Sequence, residues 1–159
     1  MIKTTLKNLE LISSYLHDAV ILSDKDFYEQ KQKIFSLNLK RIYYENGHKE
    51  KFFFIVPINK FQTITSKLLV TEVISVSQTF VDKKLNTWGE HHRLLGIELN
   101  QNNNLLIISE HLELMLSVTN NSKIIIEDTS IPSKKYLVND LSGTVFTGLK
   151  DIEKLKCSK

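Results

Sequence analysis

His111-Leu112-Glu113-Leu114-Met115-Leu116-Ser117-Val118 carries the clearest period in the chain, and it runs through Thr119-Asn120-Asn121-Ser122 into Lys123-Ile124-Ile125-Ile126-Glu127-Asp128. Leu112, Leu114, Leu116 and Val118 fall on one side of an extended backbone; His111, Glu113, Met115 and Ser117 fall on the other. Such alternation marks a strand with one buried and one solvated face. Asn120-Asn121 is a turn signal, because Asn tolerates backbone angles that most residues avoid. Lys123 to Asp128 is again extended. The two segments are therefore expected to pair as an antiparallel hairpin.

Upstream, the same period recurs. Leu95, Ile97 and Leu99 are in phase over Arg93 to Asn100, and Leu105 to Ser109 is a short apolar run beyond an Asn-rich turn. Phe61 to Leu69 and Glu72 to Val81 read as two more strands, with Ile74, Val76 and Phe80 on one face of the second. Phe35, Leu37 and Leu39 alternate with Ser36, Asn38 and Lys40. Asn46-Gly47 predicts the turn that follows. The run Phe52 to Val56 then suggests a strand buried on both faces or a dimer contact, ended or bent by Pro57. Asp82 to His92 is polar, contains Gly89, and reads as a loop.

Only the N-terminal part repeats at helical spacing. Leu9, Ile12, Leu16 and Ala19/Val20 form a stripe widened by Leu11 and Tyr15, with Asn8 as N-cap and Glu10 in the first turn. Beyond Pro132 the pattern fades, and Leu141 to Leu155 reads as a short helix or irregular tail. The expected fold is α+β: an N-terminal amphipathic helix, then six or seven mainly antiparallel strands in a strongly curled sheet or partial barrel, then a short C-terminal helix or tail. One strand-rich domain is expected over residues 1–135, with 136–159 as an extension packed on it or frayed.

The composition suits a globular chain: 159 residues, 42% hydrophobic and 25% charged, values at which one core forms without staples. Cys157 is the single cysteine, which excludes an internal disulfide and a cysteine-based zinc site and leaves a free surface thiol. Met1 to Lys7 holds no apolar leader segment, and no apolar run is long enough for a bilayer, so a cytoplasmic location without membrane contact is expected. The net charge of +3, from 21 basic and 18 acidic residues, is too small an excess to argue for nucleic acid. Five glycines fit no Walker or dinucleotide fingerprint, and Ser142-Gly143-Thr144 lacks the frame of a nucleophile elbow. Kinase, NTPase, dehydrogenase and α/β-hydrolase chemistry are thereby set aside.

Four stretches carry a likeness to a known family. They are Ile12-Ser13-Ser14-Tyr15-Leu16-His17-Asp18-Ala19-Val20; Phe35-Ser36-Leu37-Asn38-Leu39-Lys40-Arg41 with Glu45 after it; Val73-Ile74-Ser75-Val76 followed by Val81-Asp82; and Leu94-Leu95-Gly96-Ile97-Glu98-Leu99 leading into Leu112 to Glu127. Through them the chain resembles a bacterial family catalogued as domain of unknown function 2948, from about Thr5 to Ser130. The family is uncharacterised, so the likeness implies no activity; it implies that this order of elements makes a complete small domain. His17 stands where Gln is expected in that family, and the tail after Ile131 is dissimilar.

Three constellations bear on chemistry. His17-Asp18 pairs an imidazole with a carboxylate, the elements of an acid/base catalyst, although neighbours on a helix point about 100° apart. Glu90-His91-His92 supplies ligands suited to zinc or a similar ion, and His111 with Glu113 on one strand face could complete the set if the strands adjoin. Lys40, Arg41, Tyr43, Tyr44 and Lys51 interleave bases with aromatics, as a nucleic-acid surface would, but without an RRM-like signature. The expectation is a non-enzymatic binding or protein-interaction module with a homo-oligomeric or other protein partner, no cofactor and no nucleic acid. The alternative is a small metal-dependent or acid/base enzyme using a divalent metal at Glu90, His91, His92, His111 and Glu113.

Overall fold

The period of two that dominates the sequence becomes, in the computed structural model, a protein built almost wholly of antiparallel strands. The structure describes residues 1–22, 27–52, 56–81, 92–133, 136–139 and 145–146. In chain order the elements are β1 (Ile2–Thr5), a 3-10 turn (Leu6–Asn8), α1 (Leu9–Leu16), β2 (Val20–Ile21), β3 (Tyr28–Glu29), β4 (Ile34–Phe52), β5 (Val56–Val70), β6 (Val73–Phe80), β7 (Leu94–Leu99), β8 (Asn104–Ser109), β9 (Leu112–Val118), β10 (Lys123–Asp128), β11 (Tyr136–Asn139) and β12 (Val145–Phe146). One sheet has the order β1-β10-β5-β11-β12, with β4 joined to β5 and both β2 and β3 joined to β4; the other has the order β6-β9-β8-β7. Among the described residues, no helix is long and apolar enough to cross a membrane.

The chain divides into two compact units, Met1–Arg41 with Thr65–Ser130 and Ile42–Ile64 with Ile131–Lys159. In the first, two layers of strands bury one face each against the other. Phe35, Leu37 and Leu39 of β4, Leu68 and Val70 of β5, and Ile124 and Ile126 of β10 come from one layer. Ile97, Leu105, Ile107, Leu112, Leu114, Leu116 and Val118 come from the other, and Ile12 and Leu16 of α1 join the same core. In the second unit, β11 pairs with β5 from Tyr136↔Gln62 to Asn139↔Asn59, and β12 pairs with β11. There the Gln62 amide donates to the Ser133 carbonyl at 2.7 Å, and the Thr63 N–H donates to the Ser133 hydroxyl at 3.0 Å.

The layers of the first unit are joined at a corner where two strands change sheet together. β5 passes into β6 through Thr71 and Glu72, and β9 passes into β10 through Thr119 to Ser122. On one side of the corner Val70 pairs with Ile124; on the other Val73 pairs with Val118, followed by a bulge before Ser75↔Ser117. A bulge bends a strand and sharpens its twist, which lets a ribbon turn between packed sheets. Thr71 N–H donates to the Lys123 carbonyl at 3.0 Å, Lys123 N–H to the Thr71 hydroxyl at 3.1 Å, and the Ser122 hydroxyl to the Glu72 carbonyl at 3.3 Å. Glu72 holds φ 57, a left-handed conformation that costs a side-chain-bearing residue about 1–2 kcal/mol. Glu72→Gly is therefore expected to stabilise the protein by up to about 1 kcal/mol, part of the gain being offset by the unfolded-state freedom of glycine. Glu72→Val should lower the melting temperature; if both variants melt like wild type, the corner does not impose this angle.

The helix covers an edge. Its Ser13 hydroxyl accepts from the Ile97 N–H at 3.0 Å, satisfying a donor on the outer side of β7, and a Cβ on Gly96 would lie 3.4 Å from the same oxygen. Edge strands left bare invite pairing with other chains, so this cover protects the sheet. After Leu16 the chain turns through Asp18 at φ 65 and runs beside β7. Val20 pairs with Lys40 on one side and bridges Arg93 on the other.

Several expectations are corrected. The fold is not α+β with a curled sheet or partial barrel: it is mostly antiparallel β in open sheets, with twelve described strands and one short helix. The helical stripe stops at Leu16 because the chain then enters β2, and a strand, β1, precedes it. Asn8 is the N-cap residue but makes no side-chain cap bond; its amide donates to Thr4 Oγ1 at 3.1 Å. Asn46-Gly47 does not turn the chain, since β4 runs through it to Phe52, and Pro57 is the second residue of β5, where its missing N–H is tolerated. The hairpin expected at 112–127 is not formed. Both strands exist, but β9 pairs with β6 and β8 while β10 pairs with β1 and β5. One-face burial is the same whether two strands share a sheet or face each other across a core. Within Glu72 to Val81 the bulge carries Ile74 out of phase, leaving it 56% exposed. In the tail, Tyr136–Asn139 and Val145–Phe146 are strands; the remainder of the expected helix, Phe53 to Ile55 of the apolar run, and Asp82 to His91 of the expected loop lie outside the described residues.

Candidate functional site

Arg41 continues the inward phase of Phe35, Leu37 and Leu39, so β4 delivers a guanidinium into the interior of the first unit, where it is 1% exposed. A charge there demands partners. Its Nε donates to the Ser66 hydroxyl at 3.0 Å, and a terminal nitrogen donates to Asp128 Oδ1 at 2.9 Å. The Ser66 hydroxyl donates to the same Oδ1 at 2.6 Å, and the guanidinium lies 4.3 Å over the Tyr15 ring. Register brings Ser66 opposite Asp128 on β5 and β10, and α1 supplies the ring. This cation is engaged internally and does not serve a phosphate surface with Lys40, which lies on the opposite face of β4. Of the nucleic-acid set, the side chains of Tyr44 and Lys51 lie outside the described residues.

Burial raises the Asp128 carboxyl, but the hydrogen bonds from Ser66 and Arg41 and the Arg41 charge outweigh it and hold the group below its usual value of 3.8. The folded form thus binds the proton more weakly than the unfolded form. The stabilisation is complete above the unfolded value and is lost as pH falls through the lower folded value. Acid titration should therefore destabilise wild type more steeply below about pH 4 than it does Asp128→Asn. Parallel urea midpoints in that window would contradict the linkage.

His92 and His111 meet. His92 is wholly buried; its ring centroid is 6.4 Å from that of His111 and 6.1 Å from that of Phe80, both as tilted or edge contacts. The β6–β9 pairing sets Phe80 opposite Leu112 and the β7–β8 pairing sets Leu94 opposite Ser109, and the three rings meet at that end of the sheet. A spacing of 6.4 Å is the outer limit of what two ring radii and two nitrogen–zinc bonds of about 2.0–2.1 Å can span. Glu113 is exposed on the outer face of β9, away from buried His92, and Glu90 and His91 lie outside the described residues. Among the described residues no group of three or more His, Cys, Asp or Glu side chains could hold a metal ion.

His17 and Asp18 also come together, with Nδ1 and Oδ2 3.2 Å apart, because the helix has already ended and Asp18 adopts φ 65. Both side chains are about half exposed, and an ion pair so solvated contributes little. His17 borders an open groove of ≈ 950 Å³ between α1 and β7, whose walls include Lys7, Leu9, Leu11, Glu98 and Leu99.

The outer faces of the two layers differ in charge. On β1, β10 and β5 the outward rows are Thr5–Lys123, Lys3–Ile125–Leu69 and Glu127–Lys67. On β6, β9, β8 and β7 they are Ser77–Met115–Leu106–Glu98, Thr79–Glu113–Ile108–Gly96 and Ser75–Ser117–Asn104. Each face has aliphatic side chains at its middle, lysines around one and glutamates around the other.

No family model, no curated protein and no solved structure matches this chain.

The Arg41–Ser66–Asp128 cluster was the main feature missed from sequence. Its signal was present, since Arg41 follows Phe35, Leu37 and Leu39 at steps of two. The opposed faces had no such signal, because pairing register, not sequence spacing, assembles their rows.

Proposed function

We propose that this chain is a non-enzymatic binding module acting through the outer faces of its strand layers. The observation that carries the reading is the arrangement of Leu106, Met115 and Ile108 between Glu98 and Glu113 on one face, and of Ile125 and Leu69 among Lys3, Lys67 and Lys123 on the other. Aliphatic side chains framed by charge are the anatomy of a protein contact: the middle supplies desolvation, the rim supplies orientation. A nucleic-acid platform would instead need aromatic or guanidinium planes for stacking, and these rows contain neither. Two short peptides test the reading by amide chemical shifts: one alternating Leu with Glu, one alternating Leu with Lys. The acidic peptide should move the amides of Lys3, Ile125 and Lys67, and the basic one those of Glu113, Met115 and Leu106. Shifts confined to other residues would refute it.

A second reading, a small metal-dependent or acid/base enzyme, is favoured by the meeting of His92 with His111. Zinc or cobalt added to purified protein would raise its melting temperature if the pair nucleates a site, and His111→Ala would abolish the rise.

A further inference from the structure

We infer that the partner of each outer face is the opposite face of a second copy of this chain, so that the protein associates head to tail through charge. This deepens the binding-module reading and rests on it. The two faces are complementary in three respects. Both put aliphatic side chains in the middle row: Ile125 and Leu69 on one, Met115 and Leu106 on the other, with Met115 39% exposed. Their rims carry opposite sign: Lys3, Lys67 and Lys123, with Glu127 as the one acid among them, against Glu98 and Glu113 without a lysine or arginine in those rows. Both are strand surfaces, which pack face to face about 10 Å apart when stacked.

Like faces repel in this scheme, since lysine rim would meet lysine rim, and a two-fold dimer through either face alone is disfavoured. The contact is heterologous: each copy gives one face and receives on the other, so growth continues unless the rotation closes a ring. Three or four strands about 4.8 Å apart and six residues long offer roughly 400 Å² per face. The two together bury roughly 800 Å², below the roughly 1,200–2,000 Å² of stable complexes, so the association is weak and reversible. Charge steers it, and salt reverses it.

Two variants separate the faces. Lys3→Ser with Lys67→Ser neutralises one, and Glu98→Gln with Glu113→Gln neutralises the other; all four residues lie outside the core, and circular dichroism verifies that the folds survive. Wild type at millimolar concentration should show an apparent mass by sedimentation that rises with concentration in about 10 mM salt, where charges act over about 30 Å, and that falls to the monomer in about 1 M salt, where they act over about 3 Å. Each variant alone should associate at least ten-fold more weakly. Their mixture should form a 1:1 complex that grows no further, because each supplies the intact face the other lacks. A wild type that stays monomeric at low salt overturns the inference, as does association that both variants retain, or a lysine face that binds a single-stranded oligonucleotide in preference to protein. If the two peptides bind their faces while wild type stays monomeric, the binding-module reading survives and only the identity of the partner fails.

Discussion

Asp128→Ala is expected to destabilise the fold by about 3 kcal/mol, the lower part of the range for removing one partner of a buried ion pair. The lower part applies because the two side chains are unequally buried, Arg41 at 1% and Asp128 at 30% exposed. The variant takes away the carboxylate that both Arg41 and Ser66 address, while Ser66 and the Tyr15 ring stay beside the guanidinium. The loss is therefore of compensation for a charge that stays inside, not only of a contact. Replacing both partners tells these apart. Arg41→Met with Asp128→Leu removes the charge together with its need, and should lie much closer to wild type than Asp128→Ala does. Urea unfolding of the three proteins measures both. An Asp128→Ala midpoint indistinguishable from wild type would mean that the guanidinium reaches water or another acid, contrary to its burial.

Leu114→Ala carries the other large effect, about 2–5 kcal/mol. Leu114 is wholly buried on β9, which is paired on both sides, with Gln78 and Ile107 opposite this residue. Close neighbours on two strands leave little room for collapse around the deleted methyls, and the cavity adds to the lost transfer energy. Met115→Ala, one residue on and on the outer face, should change stability by less than about 1 kcal/mol. The contrast between adjacent positions reads the alternation directly. Comparable losses at both would place the strand between two cores instead of one.

Four strands were legible in the sequence, because burial of one face leaves a period of two whatever the partner strand. Leu94 to Leu99, Asn104 to Ser109, Leu112 to Val118 and Lys123 to Asp128 all lie where the pattern set them. Pairing was not legible. A turn such as Thr119-Asn120-Asn121-Ser122 can close a hairpin or carry the chain to a second sheet, and what selects the second outcome here is distant: Thr71 and Glu72 hold it through hydrogen bonds from another strand connection. Gly47 shows the converse, a strong local turn signal overridden as β4 runs through it to Phe52 and pairs with β5. Of the candidate site, the approach of His92 to His111 depended on the pairings within the β6-β9-β8-β7 sheet, and the charge of each face depended on register across three or four strands. His17 and Asp18 met because the helix ended earlier than its apolar stripe.

The opposed lysine and glutamate faces exist only because β9 and β10 belong to different sheets. Were they a hairpin, the outward residues of both strands would lie on one sheet, and the chain would have one mixed face in place of two charged ones. Cross-strand proton–proton contacts in an isotope-labelled sample test this most directly. Contacts of Ile126 with Leu68 and Ile2, and of Leu114 with Ile107 and Gln78, are expected, with no ladder between 112–118 and 123–128. A continuous ladder of contacts joining those two strands would contradict it.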